Sequence, residues 1–507
     1  MHQPYYKDLQ TGRLCLPWVR LHGIKDYLDM VKILEKYPKI HQTFNLVPSL
    51  IEQINSYIEG GQDTYQEITL KKAGELTPQD KNFLLERFFS AHTVNMISVL
   101  PRYYQLYLKK QSKKEFTTQD YLDLQILFNL AWFDPYFKKN IPEIKSLIDK
   151  GRNFSEEDKQ TVLNKQISVL KEIIPTYKKY QDSGQIEVTI SPYYHPITPL
   201  LCNTQIAKEA DKATHLPRSN FIYPEDAKAQ IQEAIKLYNE CFGKPPQGMW
   251  PSEEAVSEHI LPLIIESGIK WIVTDEAILF RSIKKKRAGD NLYKPYCLKR
   301  EEGESAIIFR DRNLSDLIGF TYHTWPVDDA ASDFLRHLQN ISVASKNKDC
   351  FIVIAMDGEN AWEYYKNDGW DFLSRLYKAI SEDTNIKTVT VSEYLEINPK
   401  KENIKRLSAG SWIYGNFHKW IGSPHKNRAW DYLAKAREEL KTAAGNKQLP
   451  AEMLAKAWKQ MYICEGSDWF WWYGDDNADF DELYRKHLIN FYKFIGKEPP
   501  EYLHHPI

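Results

Sequence analysis

Gly248-Met249-Trp250-Pro251-Ser252-Glu253-Glu254 is the stretch that decides the fold class of this chain. Further along, Phe351-Ile352-Val353-Ile354-Ala355-Met356-Asp357-Gly358-Glu359-Asn360 repeats its design. Each places a carboxylate just after a short apolar run, with an aromatic residue close by, Trp250 in one and Trp362 in the other. A parallel α/β barrel presents acids in this way, because the strand is buried and the chemistry sits where it opens at its C-terminal end. Two carboxylates offered to one pocket among aromatic rings point to cleavage or transfer of a glycosidic bond. One serves as nucleophile and the other as general acid.

The runs around these two blocks fit the same class. Residues 43–47, 186–190, 271–273, 351–355 and 386–391 are apolar or β-branched and end in polar or Gly/Pro residues, so they read as buried strands. Helical patterns follow most of them, as at 226–242 and 254–267. Strand and helix in alternation predict a parallel sheet closed into a barrel. The pattern between about 78 and 180 is almost wholly helical and reads as an insertion. After residue 400 the strands stop, and 429–444 and 450–462 read as amphipathic helices. The expected organisation is a barrel over residues 1–400 with the insertion, then a helical domain over 401–507 that completes the cleft.

Composition narrows the function. The chain has 67 basic and 68 acidic residues, which leaves no electrostatic footprint for nucleic acid or an anionic membrane. Aromatics make up 13% of its 507 residues, with 14 Trp and 31 Tyr; most fill cores, and a minority suit the apolar face of a sugar ring. The six cysteines show no C-x-x-C spacing, against a disulfide framework or thiolate zinc site. No apolar run approaches the ~18 residues of a membrane span, and no signal peptide is seen. The expectation is therefore a cytoplasmic protein that needs no metal and no cofactor.

Five blocks in order carry a family resemblance. His2-Gln3-Pro4-Tyr5, then Glu187 through Pro196 (EVTISPYYHP), the Trp-Pro-Ser-Glu block and the Asp-Gly-Glu-Asn block are joined by Glu465 through Gly474 (EGSDWFWWYG). Phe309 through Asp316 fits as well. The chain thus resembles family 57 glycoside hydrolases, the group of α-amylases, amylopullulanases and 4-α-glucanotransferases. The resemblance implies an incomplete seven-stranded (β/α) barrel with a helical region at its mouth and a retaining mechanism on α-glucans such as starch, glycogen or maltooligosaccharides. It implies Glu253 as nucleophile and Asp357 as acid/base, with His2 and His195 lining the subsite of the reacting sugar. Trp250, Arg310, Trp362, Trp412, Asp468 and Trp469 complete the expected substrate-binding set.

In this chemistry the two carboxyl groups stand only ~5–5.5 Å apart, with the nucleophile ionised and the acid protonated. Arg310 and Arg312 are expected to help hold one carboxylate charged, and Glu254 to be exposed or to back the site. Hydrolysis of α-1,4 bonds, with α-1,6 also open, is the first expectation. Transfer to a sugar hydroxyl, as by a 4-α-glucanotransferase or branching enzyme, is the nearest rival. A zinc α-mannosidase or polysaccharide deacetylase would need clustered ligands, and the chain has no H-x-D and no T-F-D-D. A non-catalytic α-glucan-binding protein is the reading from another class. One departure stands out: Met1 directly precedes the His-Gln-Pro-Tyr block, where the resembling family has the first barrel strand. That strand is expected to be missing, with Met1 an internal methionine taken as the start; the intact mass of the native protein tests this.

Overall fold

A computed structural model describes residues 1–345, 349–399, 401–445, 449–474 and 478–507. It is mixed α/β and mostly helical. The strands β1 (Gln42–Asn45) and β2 (Ile186–Thr189) pair in parallel as one sheet. A second sheet has the order β3-β4-β6-β5-β7, from β3 (Gly248–Met249), β4 (Trp271–Asp275), β5 (Tyr296–Arg300), β6 (Gly303–Arg310) and β7 (Glu402–Asn403). The β3-β4-β6 run is parallel, whereas β5 returns antiparallel on β6. The ladders form two hydrogen-bonded sheets, and their pairing alone does not establish the incomplete barrel expected. Isolated parallel bridges, Ile190 to Met249 and Arg310 to Val353, link β2 to β3 and extend β6.

Among the described residues no strand precedes β1. Met1 instead lies against the end of β1, its ammonium on the Asn45 carbonyl at 2.9 Å and its own carbonyl accepting from the Val47 amide at 3.2 Å.

Two expected strands are absent, each for a local reason. In 351–355 the amides bond outside any ladder: Phe351 to the Tyr293 carbonyl and Ala355 to the Ser315 hydroxyl, leaving only the bridge at Val353. In 386–391, Thr390 and Glu393 form a reciprocal cap that starts the helix Val391–Ile397, so the segment serves as a helix lead-in. The helix expected over 254–267 is shortened to Leu261–Glu266, with Pro262 in its first turn. The chain before it is extended enough for Val256 to exchange hydrogen bonds with Gly410.

The segment from Pro78–Arg87 through the long Glu156–Asp182 is helical. Capping boxes at Thr77 and Thr117 start two of its helices. Fully buried Arg20 ties it to the N-terminal segment through Asp63, Asn129 and Gln166. The boundary expected at residue 400 falls outside the described residues. Beyond it come the two-residue β7 and the helices Pro424–Ala444, Ala451–Cys464, Ser467–Trp472 and Ala478–Phe494. The last of these packs on the chain start: His487 meets the Tyr5 carbonyl and Asn490 bonds Asp8. No helix among the described residues is long and apolar enough to cross a membrane.

Candidate active site

The expected site residues gather where parallel strands end. β3 is buried against β4, and Gly248 is required there, because a Cβ would stand 2.1 Å from the Trp271 ring. The Trp250 amide then bonds the Ile190 carbonyl at 2.7 Å. Ser191 donates to the Trp250 carbonyl at 2.8 Å and accepts from the Asn45 side chain, stitching together the ends of β1, β2 and β3. Pro251 turns the chain, and Glu253 and Glu254 follow with φ of 57° and 51°. Two consecutive left-handed residues that are not glycine store strain of roughly 1–3 kcal/mol each. That strain sends the two carboxyls to different surroundings.

Glu253 accepts a 2.7 Å hydrogen bond from the Trp412 indole and, through its carbonyl, one from the Trp412 amide. Burial pushes its carboxyl up to about 8; the Asp357 charge adds to this, and the Trp412 donor opposes it. Glu254 is fully buried, with no hydrogen-bond partner for either carboxyl oxygen. Burial raises it to about 8 as well, although Arg310, 3.9 Å away, pulls the other way. Arg310 and Arg312 bind Asp275 at the end of β4, at 3.1 and 2.5 Å, rather than Glu253. The Arg310 guanidinium also lies 4.7 Å from the centre of the Trp412 ring and bonds the Ala355 carbonyl, so it seats the indole that holds Glu253. Trp250 meets the same indole edge-on at 5.8 Å.

Asp357 lies exposed past the Val353 bridge, held by the Asn360 amide at 2.8 Å. Trp362 is buried, its indole donating to the Gly358 carbonyl. It braces the turn that carries Asp357 and leaves little ring face for a sugar. His2 and His195 lie with ring centres 3.7 Å apart and their planes tilted by 31°. His2 bonds Asp468 at 2.7 Å, and His195, itself at φ 57°, bonds the Ser467 hydroxyl at 3.0 Å. Burial drives both rings to the neutral form, His2 down to about 3, and drives Asp468 up to about 8. Trp469 is not part of this cluster: it is buried, bonds the Ile463 carbonyl and packs on Tyr484.

The result is a crowded, nearly neutral wall rich in acceptors, suited to an uncharged polyhydroxy ligand. The sequence reading missed Asp275, although a carboxylate after the apolar Trp271-Ile272-Val273 run was the very signal used for Glu253. It also missed Ser191 and Asn45, which carry no pattern of their own. Among the described residues no three His, Cys, Asp or Glu side chains are grouped to hold a metal ion.

Residues 1–407 match the family model described as glycosyl hydrolase family 57. Over 269 residues the chain is 24% identical to α-amylase 1 of Dictyoglomus thermophilum, a match covering 52% of this chain and 33% of that protein. The chain thus spans about a third of that curated relative's length. A family-57-type branching enzyme from Pyrococcus horikoshii shares the fold with a TM-score of 0.61 at 19% identity, over 97% of this chain and 86% of that one. An α-amylase from Thermotoga maritima does so with a TM-score of 0.61 at 15% identity, over 98% and 91%. Those two likenesses speak to fold alone, but the family model spans most of the chain, strand ends and carboxylates included: the protein belongs to glycosyl hydrolase family 57.

Proposed function

We propose that the protein is a retaining glycoside hydrolase of α-glucans that cleaves α-1,4 bonds by double displacement. The observation carrying this reading is the pairing of Glu253 and Asp357. Glu253 follows β3 and Asp357 follows the single bridge at Val353, and Asp357 is the charged group with the largest effect on the Glu253 proton. In the free protein burial keeps a proton on the Glu253 carboxyl up to about pH 8, and the Trp412 donor favours the anion that attack requires. Glu253 attacks the anomeric carbon, Asp357 protonates the leaving oxygen, and Asp357 then deprotonates the incoming water.

His2, His195 and Asp468 are assigned to the reacting sugar, and Trp250 and Trp412 to the edge of that subsite. The bridges beyond the two sheets, with Met1 against β1, support an incomplete (β/α) barrel as the architecture. Residues 401–507 are assigned to a helical domain completing the cleft, since Trp412 and Asp468 come from it. Similarity to both an amylase and a branching enzyme leaves transfer as the second reading.

Incubation with maltoheptaose tests the proposal, counting reducing ends while following chain length, with Glu253→Gln as control. A rise in reducing ends that the control abolishes supports hydrolysis through Glu253. Redistributed lengths at a constant count of ends make the protein a transferase instead. No change of either kind overturns the reading.

A further inference from the structure

A cleft of about 410 Å³ opens beside Asp357, lined by Trp18, His22, Trp132, Glu359, Asn360 and Glu363 among others. It adjoins the proposed acid/base through Asn360, which lines the cleft and bonds Asp357. His22 is built into it with unusual rigidity. Its Nδ1 lies 2.6 Å from an oxygen of fully buried Asp26. The other Asp26 oxygen accepts from Lys25 at 2.7 Å, and Lys25 also binds Asp368. Burial works against the Lys25 charge, yet Asp26 and Asp368 keep it firmly protonated. A carboxylate only accepts, so in its neutral form the ring carries its hydrogen on Nδ1 and presents Nε2 as an acceptor. Trp132 meets the ring edge-on at 5.3 Å and Trp18 flanks it at 6.5 Å, which fixes its plane.

Among the described residues His22 Nε2 has no protein hydrogen bond. A second unmet acceptor lines the same cleft. Glu359 is 5% exposed; its Oε1 accepts from the His2 amide, and its Oε2 has no partner. Two orphan acceptors between indole faces call for a ligand with an apolar face and O–H groups at its edge, as a glucosyl unit has.

We propose that His22, locked by Asp26, determines recognition of the sugar on the leaving-group side of the scissile bond by accepting one of its hydroxyls, with Glu359 accepting another. The inference rests on the proposed α-glucan activity and deepens it. The same sugar position receives the incoming acceptor in transfer, so His22 also biases water against sugar as the second-step partner.

The test compares two donors. Maltoheptaose places a sugar in this cleft as its leaving group, whereas α-maltotriosyl fluoride expels only fluoride. His22→Phe keeps the ring packing and removes the acceptor. The ratio of kcat/KM for maltoheptaose to that for the fluoride should fall about tenfold, the worth of one hydrogen bond. His22→Gln, whose amide oxygen reaches the Nε2 position, should recover part of the loss. An unchanged ratio, or no recovery by Gln, overturns the assignment while leaving the proposed function intact. Wild-type protein that turns over neither donor overturns the proposed function itself. Calorimetry with maltotriose then decides the cleft separately: about tenfold weaker binding to His22→Phe upholds it, and equal affinity sinks it.

Discussion

At the residue scale the central fact is that the site controls protons through burial. Trp412 supplies Glu253's one side-chain hydrogen bond among the described residues, and it favours the charged form. Trp412→Phe keeps the ring under Arg310 and removes that donor. A hydrogen bond to a charged group is worth roughly 1.5–3 kcal/mol, so kcat/KM should fall on the order of ten- to a hundredfold. Circular dichroism and melting temperature should stay close to wild type, separating this effect from misfolding. Burial of Glu253 also sets a pH dependence. As nucleophile it must be ionised, and its proton leaves as pH rises through about 8. The rate profile for kcat/KM should therefore rise about tenfold per unit below pH 8 and level off above it. A flat profile from about pH 6 to 8 would contradict the assignment of Glu253 as nucleophile.

At the element scale, β3 contributes only two residues, yet it aims the whole Trp-Pro-Ser-Glu turn. Its position depends on Gly248 passing under the Trp271 ring. That ring is in turn fixed by its indole bond to buried Glu187, which also holds the Ser392 amide. Gly248→Ala should cost about 1–3 kcal/mol or more through overpacking. It should also lower activity beyond that loss, since displacing β3 moves Trp250 and Glu253. A shifted denaturation midpoint with full activity in the folded fraction would show instead that the turn holds itself. The buried strands 186–189 and 271–275 overlap the expected runs 186–190 and 271–273, which read as apolar or β-branched, while half-buried β1 at 42–45 only overlaps the expected 43–47. Residues 351–355 have the same composition but fail to form a strand, because side chains and loop carbonyls take their amides. Composition states what a segment can bury, and it does not say which partner its backbone will find.

At the scale of the whole molecule, buried acids set the pH dependence of stability. Glu254 holds its proton to about 8 when folded, whereas an unfolded chain releases it near the ordinary value of 4.5. The folded state thus binds more protons, and stability falls as pH rises between those limits. Glu253 and Asp468 act in the same direction. His2 and His487, lowered to about 3 and 4, act oppositely below their ordinary value of 6.5. The acid contribution therefore stands alone between pH 6.5 and 8, where melting temperature should decline. Glu254→Gln should flatten that decline, so that its melting temperature gains on wild type as pH rises. A constant difference across the window would show that Glu254 does not carry the effect.

The sequence by itself determined the order of the blocks, a carboxylate after each of two apolar runs, and the helical character of residues 78–180 and of the C-terminal region. These follow from local signals: apolar runs, caps such as Thr77 and Thr117, and turn residues such as Pro251. Only the tertiary structure decided which groups meet. It set Trp412 on Glu253, Asp468 on His2, Glu254 in a buried space under Arg310, and His22 against Asp26 facing a cleft. It also buried Trp362 and Trp469, each with its indole N–H on a backbone carbonyl. The physical reason is that burial and hydrogen-bond partnership belong to the surroundings of a side chain. Those surroundings are assembled from segments as distant as residues 2 and 468, which no local pattern relates.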